Sequence, residues 1–301
     1  MGAAKFLRGL LRVADPTTVT VVVNTGDDER FFGLAVSPDL DTITYTAAGV
    51  AHPRRGWGLQ DDSFRCLEAL GRFYDATWFQ LGDRDLATHV YRTHRLATGA
   101  RLSTVTREIG RAFGVAARIL PMSDDPVRTL IDTASGTLPF QEYLVRRRAR
   151  PPVRRIRYRG AARAHPAPGV VAAIRDAAAV VIAPSNPLLS IGPLLAVRGI
   201  RDALERRRGP TVAVSPLVGG RAPTGPLARQ LRRLGLRPSS LAIAAYYRPF
   251  LDALVIDHRD HDDVTALAAS GCRPIVADTL FDSERRAAAT ARRVLHALDL
   301  D

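Results

Sequence analysis

Residues 19–42 read VTVVVNTGDDERFFGLAVSPDLDT. A β-branched run ends at Asn24-Thr25-Gly26-Asp27-Asp28, and Asp39 and Asp41 follow within one short connection. Four carboxylates at the end of a strand suit Mg²⁺, which takes a few carboxylate oxygens and leaves room for water and phosphate. A divalent ion would also relieve their mutual repulsion. Taken singly, each acid has a plainer use as a helix cap or turn closer, and Ser37-Pro38-Asp39 is a good turn start.

A second cluster is LGDRDLATHVYR at 81–92. Asp83 and Asp85 either cap a helix starting near Leu86 or present polar groups at a strand end, with His89 and Arg92 along the helix. His89 follows Asp85 at i+4, so an ion pair within the helix is an equal account. PSNPLLSIGP (184–193) and SPLVGGRAPTGP (215–226) mix hydroxyls, Gly and Pro. Loops of this kind are ordinary turns or backbone N–H nests for anions. DHRDHDD (257–263) lacks the helical His spacing of a zinc site and reads as a loop. Trp57 and Trp78 read as packing residues.

These clusters need elements to hold them. Short apolar runs precede each polar patch: Val19–Val23, Arg118–Leu120, Ala179–Ala183, Thr211–Val214 and Ala253–Ile256, with Trp78-Phe79 a weaker sixth. Helical patterns lie between them at Leu86–Ala97, Leu102–Phe113, Gly169–Ala177, Ile200–Arg208 and Pro226–Leu234. Alternation of this kind predicts an α/β fold with a Rossmann-like, mostly parallel sheet flanked by helices, its strands covered on both faces. Ligands in such sheets sit beyond the carboxyl ends of the strands, where the polar patches fall. The N-terminal residues read as an amphipathic helix with Phe6, Leu7, Leu10 and Leu11 on one face, stopped at Asp15-Pro16. The Arg- and Pro-rich stretch 146–168 reads as an edge excursion or lobe boundary. The whole chain, 1–301, reads as one catalytic unit with a smaller, mainly helical lobe within about 46–168.

Composition bounds the function. The 301 residues are 46% hydrophobic and 24% charged, ordinary for a globular protein. No apolar run is long enough to span a bilayer, so no membrane partner is expected. Cys66 and Cys272 form no CxxC pair, which fits a reduced, cytoplasmic setting. Net charge is +13, but the basic residues are arginines apart from Lys5, and no aromatics interleave with them. Charge alone licenses only non-specific attraction, so nucleic acid is not an expected partner.

The stretches AAKFLRGL, TVVVNTGDD, SPDLDT, RGWG, LGDRDLATH, LPMSDDPVRT, IAPSNPLLSIGPLL and AVSPLVGGRAPTGP run in order over nearly the whole chain. In them the sequence resembles the 2-phospho-L-lactate transferase family of coenzyme F420 biosynthesis, which includes a bacterial phosphoenolpyruvate transferase branch. The resemblance implies transfer of a phospho-three-carbon-acid group from a guanosine diphosphate-activated donor to the ribityl hydroxyl of the deazaflavin Fo, with GMP leaving. It implies Mg²⁺ on Asp27 and Asp41 as the catalytic pair, with Asp41 also orienting the Fo hydroxyl. Asn24, Asp28, Thr42, Gln80, Asp83, Arg84, Asp85 and His89 would then line the Fo side. Ser185, Asn186, Pro187, Ser215, Pro216, Gly219 and Gly220 would hold the donor. A homodimer is implied as well. The family's usual start, a strand and Gly-rich loop before the KFLRGL helix, is not seen ahead of Lys5, and a misassigned start at Met1 is the expectation drawn from that. Two rival readings are a nucleotide-sugar-binding regulator of the gluconeogenesis-factor type and a Mg²⁺-dependent phosphohydrolase. The acids alone do not choose between water and an alcohol as acceptor.

Overall fold

A computed structural model describes residues 2–300, so Met1, on which the expectation of a misassigned start falls, lies outside the described residues. The strands are β1 (Thr20–Val23), β2 (Glu29–Phe31), β3 (Leu34–Val36), β4 (Arg118–Pro121), β5 (Arg128–Thr133), β6 (Gly136–Pro139), β7 (Arg155–Arg159), β8 (Val180–Ile182), β9 (Thr211–Val214), β10 (Ala253–Asp257) and β11 (Arg273–Ala277). The helices are α1 (Gly2–Leu10), α2 (Pro38–Ala47), α3 (Arg65–Leu70), α4 (Asp85–Ala97), α5 (Leu102–Ala112), α6 (Val170–Arg175), α7 (Gly192–Ala196), α8 (Ile200–Glu205), α9 (Leu227–Arg233), α10 (Ser240–Tyr247), α11 (Val264–Ala269) and α12 (Glu284–His296).

The chain is a mixed α/β protein with parallel sheets flanked by helices. A four-stranded parallel sheet runs β11-β10-β9-β8, and a parallel pair joins β1 to β4. The five expected apolar runs are these parallel strands, β1, β4, β8, β9 and β10. Their continuous apolar character follows from burial on both faces. Ala213, Leu254 and Ile256 point into a core with α8, α9 and α10. Val212, Val214 and Val255 point the other way, against Phe6 of α1 and Ala287, Ala291 and Val294 of α12. Helix α1 serves both sheets. Phe6 faces the four-stranded sheet, while Ala4 and Leu7 pack on Val23, Ile119, Leu40 and Ile43. Each such aliphatic side chain contributes about 1.5–3 kcal/mol when fully buried.

Three features depart from the sequence expectation. Trp78 and Phe79 are not a strand; they lie against β2, with the Phe79 and Phe31 rings stacked at 3.9 Å between centroids. The Trp78 ring meets Phe31 edge-on at 5.5 Å, so the three rings form a packed aromatic cluster. The antiparallel hairpin β2–β3 and the antiparallel sheet β6-β5-β7 are additional, and they place Arg155–Arg159 of the Arg-rich stretch in a strand. β11, which carries Pro274 and opens on Arg273, closes the parallel sheet.

Candidate active site

β1 ends at Val23, and the chain turns through Asn24–Asp28 into the β2–β3 hairpin, which returns to Ser37 and α2. This return brings Asp39 back beside the end of β1. The Asn24 amide binds the two halves together: its Nδ2 donates to Asp27 Oδ1 at 3.2 Å and to Asp39 Oδ2 at 3.0 Å, and its Oδ1 accepts from Gly26 N at 2.8 Å. Gln141 Nε2 donates to the other Asp27 oxygen at 3.1 Å. Ser37 Oγ donates to Asp28 Oδ2 at 2.8 Å. Gly26 sits where a side chain would not fit, since an added Cβ would meet Thr129 Oγ1 at 2.8 Å and Pro193 at 2.9 Å.

Every donor to Asp27, Asp28 and Asp39 in this cradle is neutral. Burial, then the charges of Asp39 and Asp28, push the Asp27 carboxyl well above the usual carboxylate range. Burial raises Asp28 to about 7, and burial also raises Asp39. Asp28 Oδ1, Thr25 Oγ1 and Thr129 Oγ1 are buried with no hydrogen-bond partner among the described residues. Arg128 and Arg92 temper the rise from a distance, but no cationic side chain among the described residues is hydrogen-bonded to the three carboxylates. Carboxylates with open oxygen valences match the hard-oxygen preference of Mg²⁺.

Asp41 stands in a different environment. Two residues along α2 from Asp39, its two oxygens are held by Arg92 of α4, through Nη1 at 3.1 Å and through Nη2. Arg92 is 2% exposed and Asp41 5%. His89 Nδ1 lies 3.3 Å from Arg92 Nη1, and His89 Nε2 lies 3.3 Å from Asp85 Oδ2. The Tyr45 hydroxyl donates to Asp85 Oδ1 at 2.6 Å. Burial works to raise Asp85, but His89 and the Tyr45 hydroxyl outweigh it and hold the carboxyl below its usual value. Atoms of Asp41, Asp85 and His89 lie within 4.8 Å of one another, a span that a metal ion could bridge. The guanidinium already fixed on Asp41 makes this a balanced ion-pair network, in which an added cation would sit beside a cation.

The other predicted site residues fall in three places. Thr42 follows Asp41 on α2 and is half-buried. Gln80 is exposed. Asp83 accepts from Ser63 Oγ and from the N–H groups of Arg65 and Cys66, while Arg84 donates to the Gln60 carbonyl. Asp62 in turn accepts from the N–H groups of Arg84 and Asp85, so each acid caps the helix that starts beside the other. Asp62→Ala is expected to cost about 0.5–2 kcal/mol, the usual worth of a helix cap. Urea unfolding measures it, and a midpoint equal to the parent's would count against the capping role.

On the donor side, Asn186 follows β8 and caps the turn begun by Pro187, accepting from Leu188 N and Leu189 N, while its Nδ2 donates to Gln230 Oε1 at 2.9 Å. Ser185 is half-buried beside it. Ser215 is buried after β9 and accepts from Leu217 N, with Pro216 between them. The N–H groups of Gly219 and Gly220 form an anion nest, and Asp260 of the DHRDHDD stretch fills it at 2.9 and 2.8 Å. Asp257 and Asp263 of the same stretch likewise accept from backbone N–H groups. Sequence reasoning missed Gln141, Thr129 and Ser37. The one trace of Gln141 is a polar residue inside the apolar run TLPFQEYL.

A family profile described as 2-phospho-L-lactate transferase CofD matches residues 1–296. The chain belongs to the 2-phospho-L-lactate transferase family. A 2-phospho-L-lactate transferase of Methanosarcina mazei is 38% identical over 296 residues, covering 98% of this chain and 97% of that one. A phosphoenolpyruvate transferase of Streptomyces griseus is 40% identical over 301 residues, covering 98% and 95%. A protein of the UPF0052 family from Bacillus halodurans has the same fold, with a TM-score of 0.64 at 17% identity over 98% of this chain and 96% of that one. As a member of the 2-phospho-L-lactate transferase family the chain is an enzyme of the transferase class, and no helix among the described residues is long and apolar enough to cross a membrane.

Proposed function

We propose that the protein transfers a phospho-three-carbon-acid group (phospholactyl, phosphoenolpyruvyl or phosphoglyceryl) from a guanosine diphosphate-activated donor to the ribityl hydroxyl of Fo, in coenzyme F420 biosynthesis. The observation that carries this reading is the neutral cradle of Asp27, Asp28 and Asp39 at the carboxyl end of β1, next to buried oxygens without partners. The reaction is attack at phosphorus. The hydroxyl oxygen bonds to the phosphorus that carries the three-carbon acid, the bond from that phosphorus to the GMP oxygen breaks, and GMP leaves with the electron pair. Most of the catalytic demand is therefore positioning and charge neutralisation.

Asp27, Asp28 and Asp39 would hold Mg²⁺. When bound, Mg²⁺ offsets the charge of the phosphates and acidifies the attacking hydroxyl. Asn24 and Gln141 hold the two Asp27 oxygens, and Ser37 holds one of Asp28, so the carboxylates are fixed in place and would not have to rearrange to take an ion. A cluster carboxylate receives the hydroxyl proton. Asp41, neutralised by Arg92, fixes α2 against α4 and so sets the height of Asp39 over the cradle. The exposed Gln80 and the Asp83-Arg84 turn remain on the Fo side of this reading, and Ser185 and Asn186 on the donor side.

Two measurements test it. Mass spectrometry of products from Fo, Mg²⁺ and each of the three donors should show a phosphodiester of Fo with one of them. Release of GMP at the same rate without Fo would point instead to hydrolysis. Mg²⁺ alone should raise the melting temperature at pH 8, and Asp28→Asn should remove that rise, because ligand binding to the native state adds stability by mass action. An Asp28→Asn protein with the full Mg²⁺ shift would count against the cradle. The family reading also includes a homodimer, which light scattering would report as twice the chain mass.

A further inference from the structure

Nine of the 18 residues from 146 to 163 are arginine, and none is acidic. The fold sets three of them in one row on β7, an edge strand: β5 pairs with it on one side, and no strand among the described residues lies on the other. Ile156 packs inward with Ile131 and Tyr143, and the Tyr158 hydroxyl donates to Leu188 O at 2.5 Å. Side chains alternate along a strand, so Arg155, Arg157 and Arg159 share the opposite, outer face. No residue of β7 is fully buried, whereas β5 in the middle of the sheet is buried at every second position. Arg155 and Arg159 are exposed, and neither has an ion pair or a side-chain hydrogen bond among the described residues.

One carboxylate already lies against this row. Asp132 of β5 accepts from Arg157 Nε at 2.8 Å and from Nη2 at 2.7 Å, and that fork holds its carboxyl down at about 2. Arg155 stands across from the same Asp132, while Arg159 stands across from another arginine, Arg128. Like charges directly opposite destabilise a sheet, so the row is short of acids. Its free edge also offers backbone N–H and C=O groups to a further strand. A second copy of β7 would bring arginines against arginines, which disfavours self-pairing. A strand with acids along one face would lay them over the free arginines, because its side chains repeat at the same two-residue spacing. A polynucleotide would gain less. It has no strand edge to pair, and the one ring on β7, Tyr158, is turned inward and is not a stacking platform.

We propose that β7 docks an acidic, extended segment of a partner protein, which adds to the sheet edge as a further strand with carboxylates over Arg155 and Arg159, to either side of the Asp132–Arg157 pair. The surface is separate from the carboxylate cradle and does not depend on the transfer reading. The probe is a fluorescent peptide of alternating glutamate and threonine, titrated by anisotropy with the full chain at moderate salt. Its lysine–threonine counterpart and a single-stranded oligonucleotide of the same charge are run beside it. Arg155→Glu/Arg159→Glu is compared with the parent and with Arg285→Glu/Arg292→Glu, which reverses the same charge at exposed positions on α12. The acidic peptide should bind the parent and the α12 variant alike and lose roughly tenfold or more on the β7 variant, and the basic peptide should not bind. Amide hydrogen exchange on the parent, which needs no variant, should show the peptide slowing exchange along β7, since strand addition occupies backbone N–H groups. Absent binding to the parent, an undiminished β7 variant, an equal loss in the α12 variant, or binding without slower exchange in β7 would each overturn the site. So would an oligonucleotide that binds β7 as tightly as the acidic peptide does, because that is general attraction for polyanions.

Discussion

Arg92→Met is expected to lower the free energy of unfolding by about 3–5 kcal/mol, because it leaves the Asp41 carboxylate buried without its counter-charge. Both side chains are nearly inaccessible, at 2% and 5% exposure, so water cannot replace the lost partner. His89 and Ala35 also lose a donor, since Arg92 Nη1 lies within 3.3 and 3.4 Å of them. A loss of this size is a large share of the roughly 5–15 kcal/mol that a domain has. Asp41→Asn should cost stability too, as it strands the guanidinium. The double variant Asp41→Leu/Arg92→Met should recover much of the loss, because an apolar pair removes both desolvation penalties. Urea unfolding of the parent, Arg92→Met, Asp41→Leu and the double variant closes the cycle. A single-variant loss below about 1 kcal/mol, the range of an exposed pair, would mean that the pair is not buried as the structure has it.

Asp27→Asn should act in the opposite way. On the proposed role of Asp27 as a Mg²⁺ ligand, we expect kcat to fall by about 10²–10³, since several kcal/mol of charge stabilisation would be lost with it. The stability of the metal-free protein should hold or rise. The Asp27 carboxyl is raised in the folded state, by burial first and by Asp39 and Asp28 next. Its stabilising contribution is therefore present in acid and lost as pH rises through the folded value. The amide has no such loss, so the variant should match or exceed the parent at pH 8, with its advantage shrinking toward pH 4. Turnover equal to the parent at saturating Mg²⁺ would remove Asp27 from the mechanism, and a large stability loss at pH 8 would contradict the strained-carboxylate account. The contrast with Asp41→Asn separates two acids that the sequence presents as a pair.

Much of this molecule was legible in the linear chain. The five apolar runs became the parallel strands β1, β4, β8, β9 and β10 because a strand covered on both faces is apolar at most of its interior positions. The acids of NTGDD and SPDLD were legible as a group because strand ends and helix starts are local events, written in neighbouring residues. Trp78-Phe79 misled, because an aromatic pair has the same composition in a strand as in a packed cluster with Phe31. The hairpin β2–β3 was hidden, since its three-residue strands hold too few positions to show alternation.

The partners of each acid were decided only in three dimensions. Asp27 meets Gln141 across 114 residues, and Asp41 meets Arg92 across 51. Which carboxylate is neutralised and which is left charged and crowded follows from how α4 lies against β3 and α2, and that packing is a property of the whole core. The same holds for Gly219 and Gly220: the loop chemistry announces an anion nest, but only the fold shows that Asp260, forty residues on, already fills it. Sequence by itself determined the family, the five parallel strands β1, β4, β8, β9 and β10 and the transferase class, because these rest on local pattern and residue type. Tertiary structure decided which acid is paired with a guanidinium and which are held by neutral donors alone, because a buried charge takes its properties from whatever the chain brings within a few ångströms of it.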